Sequence, residues 1–107
     1  HLCNSIRATV VDSDHIDMLD TRFLCSQHCH QAGDEVTADF GFDIELTDNP
    51  EDGMTRGIIT FILYKGNHYH LTVETESHEK LFVDTTDVWE DFDEVGIKIL
   101  PQQIEVK

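Results

Sequence analysis

A chain of 107 residues with 39% hydrophobic content has enough apolar side chain for one core, so a single domain spanning residues 1–107 is expected. Its 22 acidic and 7 basic side chains give a formal charge of −15, which argues against nucleic acid and anionic lipid as partners and favours a basic protein surface. No apolar run reaches the ~20 residues of a membrane-spanning helix; the longest is Gly57–Tyr64, broken by Thr60.

In chain order, Ile6, Ala8 and Val10 alternate with Arg7 and Thr9, which predicts a short edge strand or extended arm within residues 1–12. Ser13 or Asp14 can cap a helix, and Ile16, Leu19, Phe23 and Leu24 follow at three- to four-residue spacing up to Gly33. This predicts a helix from about 14 to 31. Val36, Ala38, Phe40, Phe42, Ile44 and Leu46 then alternate with polar residues, the pattern of one eleven-residue strand with an apolar and an acidic face. Residues 48–53 are rich in turn formers. Residues 57–64 are apolar on both faces, as a central strand would be, and Tyr69, Leu71 and Val73 alternate on a strand returning after the Lys65-Gly66-Asn67 turn. Phe61 and Leu63 or Ile62 are expected in the core. Leu81-Phe82-Val83 reads as a further strand. Thr85 or Thr86 opens a short helix through about Val95, capped by Thr86, Asp87 and Glu90 and closed by Gly96, and a last strand, Ile97–Leu100, stops at Pro101, with Ile104 and Val106 extending it. The expected class is α+β: an antiparallel sheet of four to five strands, with one longer N-terminal and one short C-terminal helix packed on one face.

Fourteen of the 22 acids fall in two blocks without Lys or Arg, residues 34–54 and 84–94, whereas residues 57–70 contain none. On the eleven-residue strand Asp39, Asp43 and Glu45 would form one rigid negative stripe, continued by Asp48, Glu51 and Asp52; Asp87, Glu90, Asp91, Asp93 and Glu94 would form a second on the short helix. These eleven residues are the candidate partner-binding set. In size, charge and lack of catalytic signature the chain resembles anti-restriction and anti-CRISPR proteins and nuclease immunity proteins. The resemblance implies a small non-enzymatic inhibitor of a basic, nucleic-acid-handling protein such as a nuclease or CRISPR effector, acting by nucleic-acid mimicry or active-site blockade.

Two alternatives use other features. Cys25, His28 and Cys29 lie on one side of the predicted helix and, with Cys3, could assemble a zinc site; the competing reading makes the two cysteines core residues and leaves the chain without a cofactor. A structural or oligomerising protein, such as a homodimer using the sheet edge, is the other. His68, His70 and Glu74 have a His-x-His-x3-Glu spacing that resembles the first metal motif of the cupin family over seven residues, but only His78 follows where a second motif is needed. There is no glycine-rich phosphate loop and no Gly-x-Ser-x-Gly elbow, so no enzymatic role is expected. An odd cysteine count argues against a disulfide framework and points to a reducing cytoplasm, which the resemblance to phage inhibitors and immunity proteins implies is that of a bacterium or phage-infected host cell.

Overall fold

The computed structural model describes residues 3–107, so the first two residues of the expected N-terminal arm lie outside the described residues. Among the described residues there are ten strands: β1 Asn4–Asp12, β2 His15–Met18, β3 Thr21–Leu24, β4 Glu35–Phe40, β5 Glu45–Thr47, β6 Thr55–Tyr64, β7 Tyr69–Thr75, β8 Lys80–Thr85, β9 Glu94–Lys98 and β10 Glu105–Val106. Single 3-10 turns occupy Pro50–Asp52 and Pro101–Gln103. The α+β expectation is therefore corrected: neither expected helix exists, and the described fold is nearly all β. No described helix is long and apolar enough to cross a membrane.

Backbone contacts divide the chain into two compact units, one running to Gly41 and resuming at Ile99–Lys107, the other Phe42–Lys98. The first unit is an antiparallel sheet in the order β10-β4-β1-β2-β3, so the expected edge strand is its centre. Its buried face carries Ile6, Ala8 and Val10 of β1, Ile16 and Met18 of β2, Phe23 of β3, and Val36, Ala38 and Phe40 of β4. Where a helix is expected over 14–31 the chain makes a hairpin, Ile16 opposite Phe23 and Met18 opposite Thr21. Its two-residue turn, Leu19-Asp20, has φ of 55° and 56°, the left-handed pair that primed hairpin turns require and that Leu rarely supplies. Burial of Leu19 offsets the cost.

The second unit is an antiparallel sheet in the order β5-β9-β6-β7-β8, with Ile59, Leu71, Val73, Leu81, Val83, Val95 and Ile97 fully buried. The β6–β7 hairpin lies where the sequence places it, closed by the Lys65 amide donating to the His68 carbonyl at 2.8 Å. The expected eleven-residue strand is two strands in different sheets: β4 ends at Phe40, where Asn4 Nδ2 donates to the Gly41 carbonyl at 3.1 Å, and β5 begins at Glu45. In place of the second helix, residues 86–93 form a loop into β9. Asp87 and Glu90 cap no helix there; their amides bond Thr85 Oγ1 at 3.0 Å and Asp93 Oδ2 at 2.9 Å. Gly96 ends no helix but lies in β9 against Gly53, which follows the Pro50–Asp52 turn, and a Cβ on Gly96 would lie 2.8 Å from the Gly53 nitrogen. Only glycine permits that backbone approach.

At the β1–β2 turn, His15 Nδ1 lies 2.8 Å from Asp12 Oδ1 and 2.9 Å from Asp14 Oδ1. Bonding to Asp12 raises the His15 pKa, and bonding to His15 holds Asp12 down to about 2. The His15 contribution to stability is complete below pH 6.5 and lost as pH rises through its raised value; that of Asp12 is complete above pH 3.8 and lost as pH falls toward 2. Melts of the parent and His15→Ala should differ most near pH 5 and converge by about pH 9, and the gap should be small because the pair is exposed.

Candidate functional site

The register of β6 with both neighbours builds a groove on the second unit. Ile58 is paired with Glu74 of β7 on one side and Glu94 of β9 on the other. Residues directly opposite share a face, so Ile58 lies between two carboxylates whose backbones stand roughly 10 Å apart, two strand spacings. The groove holds about 470 Å³. Gly57, Thr60 and Thr75 also line it, with Phe92 and Glu76 at its sides.

Phe92 is placed by its backbone. Its amide donates to the Ile59 carbonyl at 2.7 Å and the Ile59 amide donates to the Asp93 carbonyl at 3.0 Å, extending the ladder into the loop. This holds Phe92 at φ 69°, an outlier for a bulky residue, with 76% of it exposed. Strain of that kind persists only where the surroundings over-determine it, and it clusters at ligand sites.

The groove's charge is unbalanced. Arg56, its one Lys or Arg, is drawn to Glu51 outside the groove and lies 3.6 Å from Glu76; these carboxylates, Glu51 foremost, raise its pKa. Glu74 has His78 at 3.8 Å, an 87% exposed side chain. An apolar floor between carboxylates suits a ligand with a methylene chain and positive ends.

A second, more open cleft of about 470 Å³ is lined by Asp43, Glu45, His68, Asp84 and Thr85 among others. His70 Nδ1 bonds Asp84 Oδ1 at 2.6 Å, while its ring stacks on Phe82 at 5.7 Å and meets Phe42 edge-on at 5.3 Å. The cupin-like trio is thus divided: His68, just before β7, and His70 share the Asp84 carboxylate at 3.8 and 2.6 Å, whereas Glu74 belongs to the groove.

The structure scatters the expected acidic stripe. Asp39 belongs to the first unit, accepts from Ser5 Oγ at 2.8 Å and pairs with Lys107 at 3.2 Å, whereas Asp43 and Glu45 belong to the second. Asp48, Glu51 and Asp52 flank or form the Pro50 turn; Asp87, Glu90, Asp91 and Asp93 occupy the β8–β9 loop; of the eleven, Glu94 alone lines the groove. Cys25, expected beside His28 and Cys29 on a helix face, is a buried residue just after β3, its pKa raised chiefly by burial, while Cys29 is exposed in a loop. Among the described residues, the group whose ligand atoms all lie within 4.8 Å of one another is Asp12, Asp14 and His15 instead. Sequence reasoning missed Ile58, Glu74 and Phe92 as groove residues. The Ile58–Glu74 pairing follows from the hairpin register, but no local pattern announces a left-handed phenylalanine.

No family model matches the chain. Over 98% of its length it is 47% identical to the spermidine/putrescine import ATP-binding protein PotA of Bacteroides fragilis, and over the same share 45% identical to that of Bacteroides thetaiotaomicron. The chain spans 23% of the length of these relatives. Among solved structures, the cytoplasmic molybdate-binding protein ModG superposes with a TM-score of 0.82 at 12% identity, covering 96% of this chain and 94% of that one. That likeness establishes a shared fold. These findings overturn the inhibitor reading, and with it the nuclease or CRISPR-effector partner and the viral, anti-CRISPR and immunity-protein classes: the sequence likeness is to part of a transport protein.

Proposed function

We propose that this chain is an accessory, ligand-sensing domain of an ATP-driven importer of the spermidine/putrescine kind, and that the Ile58 groove receives a linear aliphatic di- or polyammonium ion. The observation that carries the reading is the 47% identity extending over nearly the whole chain. The groove supports it: Glu74 and Glu94 stand on either side of Ile58, the complement of a chain of methylenes with a positive group at each end. The domain itself performs no catalysis in this reading. ATP chemistry falls to the remainder of a protein of the relatives' length, consistent with the missing phosphate loop. The cytoplasm is its place of work, as the odd cysteine count predicts and as the description of ModG parallels.

The acidic lining of this groove supports an ammonium ligand there over an oxyanion, which needs N–H donors and cations where Glu74, Glu76 and Glu94 stand. Calorimetric titration at low salt should give saturable heat with putrescine and spermidine and none with molybdate. Glu74→Gln combined with Glu94→Gln should weaken amine binding by roughly tenfold or more, since hydrogen bonds to charged groups contribute about 1.5–3 kcal/mol each. Amine affinity unchanged in the double variant sinks the groove assignment; saturable molybdate binding with no amine response replaces it with an oxyanion site.

A further inference from the structure

We propose that Arg56 sets the charge count of the groove's ligand, holding it to a short diammonium ion and turning away a third ammonium group. This rests on the reading that the groove takes an aliphatic amine, and it adds the residue that chooses among amines. The groove is built on two rows of side chains across the sheet. In the first, Glu94 of β9, Ile58 of β6 and Glu74 of β7 stand in register. The second row lies two residues back along β6, roughly 7 Å away, on the same face. It holds Gly96 on β9 and Arg56 on β6, and the register step beyond Gly57 and Thr75 brings Arg56 to Glu76. Gly96 adds no side chain to that row. The Arg56 guanidinium is bonded to Glu51 of the Pro50–Asp52 turn and lies 3.6 Å from Glu76, so it is held at one end of the groove by a carboxylate on each side.

Of the groove's three carboxylates, Glu76 alone shares the charge of an arginine. Glu74 and Glu94 remain for the ligand. Their backbones stand roughly 10 Å apart across Ile58, and a four-carbon diammonium ion spans about 6 Å between nitrogens, a zigzag of five bonds of ~1.5 Å. That length leaves one charge-assisted contact of about 2.8 Å at each end, with the methylenes over Ile58. A triammonium ion carries a further three-carbon arm, and the sheet offers it no free carboxylate. Past Glu74 the row continues to Lys80 of β8, a like charge. Past Glu94 the row ends, because β5 meets β9 only from Gly96 to Lys98. An arm turned along the strands toward Glu76 has to displace the guanidinium from it.

Calorimetric titration of putrescine and of spermidine, at matched ionic strength, into the parent and Arg56→Gln tests this. The parent should hold putrescine more tightly than spermidine, the reverse of the order on a plain acidic surface, where the ion of higher charge binds better. Arg56→Gln frees Glu76 and should tighten spermidine by roughly tenfold or more while moving putrescine by less than about twofold. Adding Glu76→Gln should remove that gain. Lys65→Gln takes a cation from the β6–β7 turn, outside the groove, and should leave the ratio of the two affinities unchanged. Surface ion pairs contribute little to folding, so Arg56→Gln should melt near the parent, and Arg56→Met repeats the test should it fold poorly. A ratio that favours spermidine in the parent, is unmoved by Arg56→Gln, or moves equally with Lys65→Gln overturns the role of Arg56 and leaves the groove reading standing. Absence of saturable heat from both amines overturns the groove reading and this inference together.

Discussion

Ile59→Ala should lower stability by about 2–5 kcal/mol, while Phe61→Ala, two residues along the same strand, should change it by no more than about 0.5 kcal/mol. The difference follows from the bulge. Ile59 is fully buried opposite Val73, in a layer with Leu71, Val95 and Ile97, and truncation there loses both its transfer free energy and the packing around a cavity. Phe61, with the same parity, has been turned to the other face and keeps more than half its surface in water. Urea melts of the two variants beside the parent separate them. A Phe61→Ala loss near that of Ile59→Ala would mean the strand runs in unbroken alternation.

The same bulge shows how far the sequence is legible. Residues 57–64 do read as apolar on both faces, and the β6–β7 hairpin is where its turn residues put it. Pattern alone does not say that one of those faces stays exposed, because a bulge shifts face assignment without changing composition. The stretch from Val36 to Leu46 failed in a related way. Its alternation is real, with Val36, Ala38, Phe40 and Ile44 all buried, but the first three and the last serve different units. Alternation reports that a side chain is buried and is silent on which core buries it. The acidic stripe built on that strand fell with it. Of the groove, Glu94 stood among the named acids, but its meaning depends on register with Ile58 and Glu74, which lie 36 and 20 residues away from it in sequence.

Phe23→Ala should cost about 3–5 kcal/mol, and Leu24→Ala beside it close to nothing. Under a helix over 14–31 both residues belong to one apolar stripe, and both truncations would be felt. In the hairpin they point to opposite faces: Phe23, 2% exposed, lies opposite Ile16 on the buried side, while Leu24 is 47% exposed opposite His15. Ile16 and Phe23, seven apart, suit two helical turns as readily as a cross-strand pair, and the Leu19-Asp20 turn lacks the Asn-Gly or Asp-Gly signal that would decide between them. Gly substitution at Asp20 sharpens the test. Asp20 has φ 56°, so Asp20→Gly relieves a left-handed residue and should leave the fold intact or slightly firmer, whereas glycine inside a helix would cost about 1 kcal/mol relative to alanine. Thermal melts of the three variants, with far-ultraviolet circular dichroism to follow helix content, read all of this together. Equal losses at Phe23 and Leu24, with a fall in helical signal for Asp20→Gly, would restore the helix and remove β2 and β3 from the sheet.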